Sequence, residues 1–303
     1  MKRVLVTGAN GFIGKRVLKA LSRERWAPTV LSRDHAFRAP PGVEALYGDL
    51  DTPDSLKNAL DNIDAVVHLA AFIPDNLADP AFAEACVRRN GLATLALADA
   101  AAKKNLDRFI YVSSGNVYAA EATHPSENSP LYPSTHATYY LASKVLGETY
   151  VQHLSQARGL KSAILRIGSV YGHDMKPKSA VATFMRVAAE GGTIELKDGG
   201  LATYDLVYVD DIAALIVSAL ESSAPGIYNA GGGQACTLEQ MARTAANTFP
   251  ERAAQISLLP IGANPFRGFP CLDIAKAKQV FGYAPRSLQE GFASYSRESK
   301  AAA

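Results

Sequence analysis

Residues Val4-Leu5-Val6-Thr7-Gly8-Ala9-Asn10-Gly11-Phe12-Ile13-Gly14-Lys15-Arg16-Val17 run from an apolar strand, through a turn with three glycines, into a helix whose apolar face is marked by Ile13, Val17, Leu18 and Leu21. A phosphate-binding turn needs this order. Gly8 permits the tight turn, Gly11 removes a Cβ from the path of a pyrophosphate, and Gly14 lets the helix pack closely on the strand. The first N–H groups of the helix have no intrahelical acceptor and favour an anion. Asn10, Phe12 and Ile13 lie in the same turn and join the three glycines as candidate cofactor-binding residues.

Further strand-length apolar runs follow at Thr29 to Ser32, Ala45 to Tyr47, Ala65 to Leu69, Phe109 to Ser113 and Ser162 to Ile167, with helical stretches between them. This alternation predicts an α/β fold with a doubly wound parallel sheet and right-handed crossovers. Ligands in such sheets bind at the C-terminal strand ends, and polar residues fall there: Thr7, Ser32, Arg33, Asp49, His68, Ser113, Ser114 and Arg166. After Gly172 the pattern gives way to loops and short elements. The expected division is a dinucleotide-binding domain over 1–172 and 205–235 and a smaller, discontinuous α/β substrate lobe over 173–204 and 236–300.

The chain has 303 residues, 48% of them hydrophobic, enough for one large core or two modest ones. A net charge of +2 with only short basic pairs, Arg88-Arg89 and Lys103-Lys104, argues against nucleic acid or a membrane surface as partner. Three cysteines without disulfide or metal spacing fit a reducing compartment, and no metal is expected. The first strand starts within four residues of Met1, which leaves no room for a signal peptide, so a cytoplasmic location is expected.

Chemistry enters with Tyr140-Leu141-Ala142-Ser143-Lys144, at the start of a helix expected to continue to about His153. The i, i+4 spacing sets phenol and ammonium on one helical face. A fixed positive charge favours the phenolate, so Lys144 is expected to bring Tyr140 down from a free pKa of about 10 toward neutrality. It is the one Tyr-x-x-x-Lys in the sequence; Tyr139 has serine four residues on and is assigned to packing. Ser114, at the end of the strand Arg108-Phe109-Ile110-Tyr111-Val112-Ser113-Ser114, is the candidate that orients the reacting oxygen, with Ser113 as its rival.

The Gly-x-x-Gly-x-x-Gly spacing and the Tyr-Lys pair resemble those of the extended short-chain dehydrogenase/reductases, the NAD-dependent epimerase/dehydratase family. The resemblance covers nearly the whole chain. Gly48-Asp49-Leu50 is similar to the family's adenine-contacting segment, and His68-Leu69-Ala70-Ala71 to the segment along the cofactor diphosphate. Asn90 matches its cofactor-loop asparagine. Leu165-Arg166-Ile167-Gly168-Ser169-Val170-Tyr171-Gly172 and Tyr208-Val209-Asp210-Asp211 match two further stretches, and Val117-Tyr118 selects Ser114 over Ser113. The resemblance implies a Rossmann-like sheet, a catalytic triad of Ser114, Tyr140 and Lys144, and cofactor contacts from Asp49, Leu50, Leu69, Ala70, Ala71 and Asn90 as well as from Tyr140 and Lys144. It also implies a homodimer, for which Val145, Thr149 and Gln152 on the Tyr140 helix and the Ala/Leu-rich stretch from about Phe82 to Lys103 would form a four-helix bundle.

Departures from the family bear on cofactor and substrate. NAD-specific members end their second strand with an acid, whereas here Ser32 and Arg33 stand there and the first carboxylate is Asp34. Loss of the acid relieves repulsion of a 2′-phosphate that Ser32 and Arg33 can bind, so NADP is favoured over NAD. The 4,6-dehydratases carry an Asp-Glu pair after the catalytic Ser/Thr; this chain has Gly115-Asn116, which does not ionise. Ser169 and Tyr204 replace an asparagine and an arginine that lie near substrate phosphates, leaving Arg267 for one such contact. Ser114, Asn116, Ser169 and Arg267 are the candidate substrate-binding residues. His173 lies where some epimerase-reductases keep a proton-exchanging histidine, but Asn116 replaces its cysteine partner.

The leading expectation is an NAD(P)-dependent redox enzyme acting on a secondary alcohol or ketone of a sugar or nucleotide sugar, as epimerase or ketoreductase. A reductase of a non-sugar carbonyl compound and a nonenzymatic NADP-sensing or scaffold protein are the competing readings.

Overall fold

The computed structural model describes residues 1–21, 25–52, 55–56, 58–119, 123–132, 137–263 and 265–302. Strands β1 (Lys2–Thr7), β2 (Trp26–Ser32), β3 (Glu44–Tyr47), β4 (Ala65–His68), β5 (Arg108–Ser114) and β6 (Ser162–Ile167) follow the apolar runs of the sequence. A later strand, which we number β10 (Gly226–Ala230), was not among the expected ones and adds the seventh member. All seven lie in one parallel sheet of order β10-β6-β5-β4-β1-β2-β3. The chain order reverses between β1 and β4, so a crevice opens there at the strand C-termini.

Both faces of this sheet are covered, which explains the near-continuous apolar strands. On one face Val4, Val6, Ala65, Val67, Ile110 and Val112 join a core with α1 (Phe12–Leu21). On the other, Leu5, Val66, Phe109, Tyr111 and Ile164 meet the helical run α2 and α3 (Thr138–Arg158). Period-two alternation thus divides one strand between two cores. The α2 run consists of Ala83–Cys86, a wider π turn at Val87–Leu92, and Ala93–Lys103. The Tyr140 helix ends only at Arg158, where Gly159 takes the left-handed conformation with φ of 68°.

The smaller elements are β7 (Ser169–Tyr171), α4 (Ala180–Glu190), β8 (Thr193–Leu196), β9 (Thr203–Tyr208), α5 (Val209–Glu221), β11 (Ala235–Thr237), α6 (Leu238–Thr248), β12 (Gln255–Leu258), α7 (Ala275–Phe281) and α8 (Leu288–Ala302). A three-stranded sheet β11-β9-β7 and a pair β12-β8 surround a third core that includes Tyr171, Phe184, Met185, Tyr208, Met241 and Phe292. Within the stretch expected to return to the first domain, β9 belongs to this small sheet and β10 to the large one. On α3, Thr149 and Gln152 face solvent, whereas Val145 packs on a cluster with Val117 and Leu141. No described helix is long and apolar enough to cross a membrane.

Beneath the crevice, Arg166 of β6 and Glu148 of α3 form a buried pair, Nη2 to Oε2 2.7 Å, with side chains only 2% and 1% exposed. Glu148 also accepts from Ser113 Oγ at 2.5 Å, and Arg166 donates to Tyr118 Oη at 2.9 Å. Removing one partner strands the other charge in the interior, which costs about 3–5 kcal/mol. Arg166→Met should therefore lower unfolding free energy by about that amount in urea titrations, and Glu148→Leu added to it should recover much of the loss. Equal stability of Arg166→Met and the unmutated chain would show that the pair is not carrying its neighbours.

Candidate active site

A cleft of about 720 Å³ follows the strand ends from the side over β1–β3 to the far side over β5 and β6. Its wall at β1 is the glycine turn. A Cβ on Gly14 would lie 2.3 Å from the Gly8 carbonyl oxygen and 2.5 Å from Ala9 Cα, so only glycine lets the helix start this close to the strand. Gly8 has φ of 71°, and a Cβ there would lie 2.6 Å from the Ala70 nitrogen. The turn thus forms a cradle against Leu69 and Ala70 that a side chain would fill. Gly8, Asn10, Gly11, Phe12, Ile13 and Gly14 all line the cleft, as do Ser32, Arg33, Asp49, Leu50, Leu69, Ala70 and Ala71.

At the β2 end, Ser32 is buried and its hydroxyl bonds the backbone of Asp34, donating to the carbonyl at 3.2 Å and accepting from the N–H at 3.1 Å. Asp34 itself accepts from the Ala36 N–H at 2.8 Å. Arg33 is left exposed at the rim, 3.9 Å from Asp49. Loop closure therefore occupies Ser32 and Asp34 and leaves Arg33 as the outward group.

Ser114, Asn116, Tyr140 and Lys144 line the far half of the same cleft. The rivalry of the two serines is resolved by hydrogen bonding: Ser113 donates to Glu148, whereas Ser114 Oγ accepts from the Asn116 N–H at 3.2 Å and keeps its own proton for the cleft. Lys144 is buried over the Tyr111 ring, Nζ to centroid 4.7 Å. Burial pulls it down to about 8, against an upward pull from Glu148 one turn along α3. Tyr140 departs from expectation. Burial, with a smaller contribution from Cys86, pushes its phenol up to about 12 instead of toward neutrality. Desolvation of the phenolate is the largest cause.

Asn90, Ser169 and Arg267 are not part of the cleft lining. Asn90 is buried behind it, accepting from the Phe72 N–H at 2.7 Å and donating to the Phe72 carbonyl at 3.0 Å and to Ser143 Oγ at 2.9 Å. Ser143 in turn donates to the Tyr140 carbonyl at 2.6 Å, so Asn90 joins the cleft wall to the turn that carries the tyrosine. Ser169 is half-buried within β7. Arg267 is exposed, and its carbonyl accepts from the Thr203 N–H at 3.0 Å. Tyr208, Asp210 and Asp211 serve packing: Tyr208 donates to Glu298, and Asp211 pairs with Arg286 at 3.0 Å.

Cleft residues that sequence reasoning missed are Phe72, Ile73, Arg89, Met175, Lys176 and Ser179. None belongs to a spacing motif. Also missed was Asp205, buried and pushed up to about 6 by burial although the Leu272 and Gly233 N–H groups donate to it at 3.1 and 3.0 Å.

Comparison with known proteins places these residues in a family. Residues 4–231 match the NAD dependent epimerase/dehydratase family. The chain belongs to it. It is thereby an extended short-chain dehydrogenase/reductase enzyme. A dTDP-glucose 4,6-dehydratase of Streptomyces antibioticus is 29% identical over 309 residues, covering 96% of this chain and 90% of the relative. A UDP-glucose 4-epimerase of Azospirillum brasilense is 29% identical over 271 residues, covering 80% and 76%. Among solved structures, the UDP-glucose 4-epimerase of Thermus thermophilus in complex with NAD superposes with TM-score 0.81 at 26% identity, over 99% of this chain and all of that one (100%).

One motif residue of the family pattern has a direct acid-stability signature. His68 is fully buried, its Nδ1 2.7 Å from Thr7 Oγ1 and its Nε2 2.9 Å from Thr94 Oγ1. The Ala70 N–H donates to Thr7 Oγ1 and the Thr94 hydroxyl donates to the Asn90 carbonyl, so Thr7 donates to Nδ1 and the neutral Nε2–H ring donates to Thr94. Burial, with the Lys144 charge second, holds His68 down at about 3. Below an unfolded value of about 6.5 the unfolded chain takes up a proton that the native ring refuses, so stability falls as pH drops, by up to about 1.4 kcal/mol per unit until the native pKa is reached. Urea unfolding between pH 7 and 4 should show this slope, reduced in His68→Gln; an unchanged slope in that variant would place the effect elsewhere.

Proposed function

We propose that this enzyme moves hydride to or from a secondary alcohol or ketone carbon of a sugar or nucleotide sugar, with Tyr140 exchanging the proton on oxygen. The observation that carries this reading is that Ser114, Tyr140 and Lys144, from β5 and α3, line the same cleft as the glycine cradle of β1. The names of the relatives support the substrate class. A nicotinamide dinucleotide, when bound, supplies hydride transfer. The glycine turn and the α1 N-terminus would hold its diphosphate, and Asp49, Leu50 and Leu69 to Ala71, which line the same cleft, would contact the rest of it. Ser114 donates to the reacting oxygen and aims it at Tyr140. Tyr140, kept neutral by burial, holds its proton for a developing alkoxide, and Lys144 favours the phenolate left behind. Glu148, behind Lys144, counters the burial that would strip its charge.

Elimination of water is disfavoured by the chain itself. Asn116 does not ionise, and an acid at position 115 would have to displace the end of the Leu272 side chain, since a Cβ there would lie 2.6 Å from Leu272 Cδ1 and 3.1 Å from the Ile167 carbonyl oxygen. Cofactor choice then separates reduction from epimerisation. With Ser32 and Asp34 tied to their own turn, exposed Arg33 is the group that meets a 2′-phosphate, which favours NADP and net reduction. The NAD-bound epimerase among the similar structures supports redox-neutral epimerisation as the second reading.

Tyr140→Phe should abolish turnover while leaving dinucleotide affinity within a few fold, and Lys144→Ala should lower both. Retention of most activity by Tyr140→Phe would refute the proton role.

Arg33→Ala should weaken NADP roughly ten- to hundredfold, the worth of one charge-assisted contact, and leave NAD nearly unchanged in fluorescence titrations. Ser32→Asp should reverse the preference. Equal losses for the two dinucleotides would make Arg33 structural, and an unmutated chain that prefers NAD would favour the epimerase.

A further inference from the structure

Charge is divided unevenly along the cleft. Over β1–β3 its lining holds the acids Asp34, Asp49 and Asp51, and each arginine there has a carboxylate nearby: Arg33 lies 3.9 Å from Asp49, and Arg89 3.7 Å from Asp51. The half over β5, β6 and the loop after β7 is lined by no Asp or Glu, but it contains Lys144 and Lys176. Lys144 is buried, over the Tyr111 ring. Lys176 is exposed in the lining of the same cleft, together with Met175 and Ser179, and among the described residues it forms no ion pair.

Its neighbours explain why that charge stays unpaired. Asp174, two residues earlier, is drawn away from the cleft by Arg16 of α1 at 3.5 Å and by His173 at 3.2 Å. Arg16 is itself held by Glu298 of α8 at 2.5 Å and Asp210 of α5 at 3.4 Å. The loop is thus anchored on its outer side, with the lysine on its cleft side. Arg267, the residue expected to meet a substrate phosphate, is outside the cleft, and Tyr204 at the other expected position packs against Phe269 at 5.8 Å.

We infer that Lys176 is a specificity-determining residue that binds a phosphate or carboxylate group of the substrate, so that the substrate is an anion with this group set apart from the carbon facing Tyr140. The inference rests on the functional reading above, because that reading places the reacting carbon between Ser114 and Tyr140. Exposed Ile73 and half-buried Met175 add apolar surface to the cleft lining, suited to the carbon face of a ring.

Calorimetric titration of the dinucleotide-loaded protein with UDP-glucose, glucuronate and glucose tests it without turnover. At least one of the two anions should bind more tightly than glucose, with a dissociation constant that rises with salt. UDP-glucose as the tighter ligand identifies a phosphate at Lys176, and glucuronate identifies a carboxylate. Lys176→Ala should weaken that anion roughly ten- to hundredfold, and Lys176→Arg should restore most of the loss. An unchanged constant in Lys176→Ala, or glucose binding as well as both anions, would overturn the inference. Dinucleotide binding is measured first on the same samples. A chain that binds dinucleotide but neither anion refutes the role of Lys176 alone, whereas one that binds no dinucleotide refutes the functional reading and the inference with it.

Discussion

The Arg166–Glu148 pair is the constraint on which the active half of the molecule depends. It joins β6 to α3 in the interior, where neither charge has water to fall back on. Ser113 on one side and Tyr118 on the other are drawn into the same network, and Tyr118 passes it to Asn229 of β10 at 2.6 Å. Asn229 then donates to the Pro125 and Asp273 carbonyls at 2.8 and 3.0 Å. Such a pair is weak evidence for net stability, since desolvation offsets much of the attraction. Its geometric consequence is firmer: of the two serines that line the cleft, Ser113 is held by Glu148, and α3 is held at one depth against β5 and β6.

The same burial sets the electrostatics. Tyr140 and Lys144 lie in a poorly solvated pocket that disfavours both charged forms, raising the phenol and lowering the ammonium. Each is therefore held closer to neutral than in water. Glu148 keeps Lys144 from losing its charge altogether. His68 adds no charge of its own, because burial and then the Lys144 charge keep its ring neutral, with hydrogen bonds from Thr7 and to Thr94.

Much of this was legible before any coordinates. A glycine turn between strand and helix requires close backbone approach, and the 2.3 Å that a Cβ on Gly14 would leave to the Gly8 carbonyl oxygen is that requirement in numbers. Six parallel strands could be read because burial on both faces writes continuous apolar runs. The seventh, Gly226–Ala230, has an asparagine near its end and a glycine start, so its sequence resembles a loop until Glu127 is seen bonding the Asn229 N–H at 2.9 Å. The small sheet escaped for a related reason: three-residue strands such as Ser169–Tyr171 are too short for a period to register.

By itself the sequence determined the glycine cradle, the parallel sheet and the tyrosine-lysine face, because each follows from local rules: glycine's missing Cβ, the two-residue period of strands and the near-fourfold period of helices. Tertiary structure decided the rest. It placed Asn90 behind the cleft wall, removed Arg267 from the cleft, and put Lys176 in the lining that also holds Tyr140. It also pushed Tyr140 up where local charge arguments pointed down. Desolvation and long-range packing depend on what the remainder of the chain brings near a residue, and spacing along the chain does not encode that.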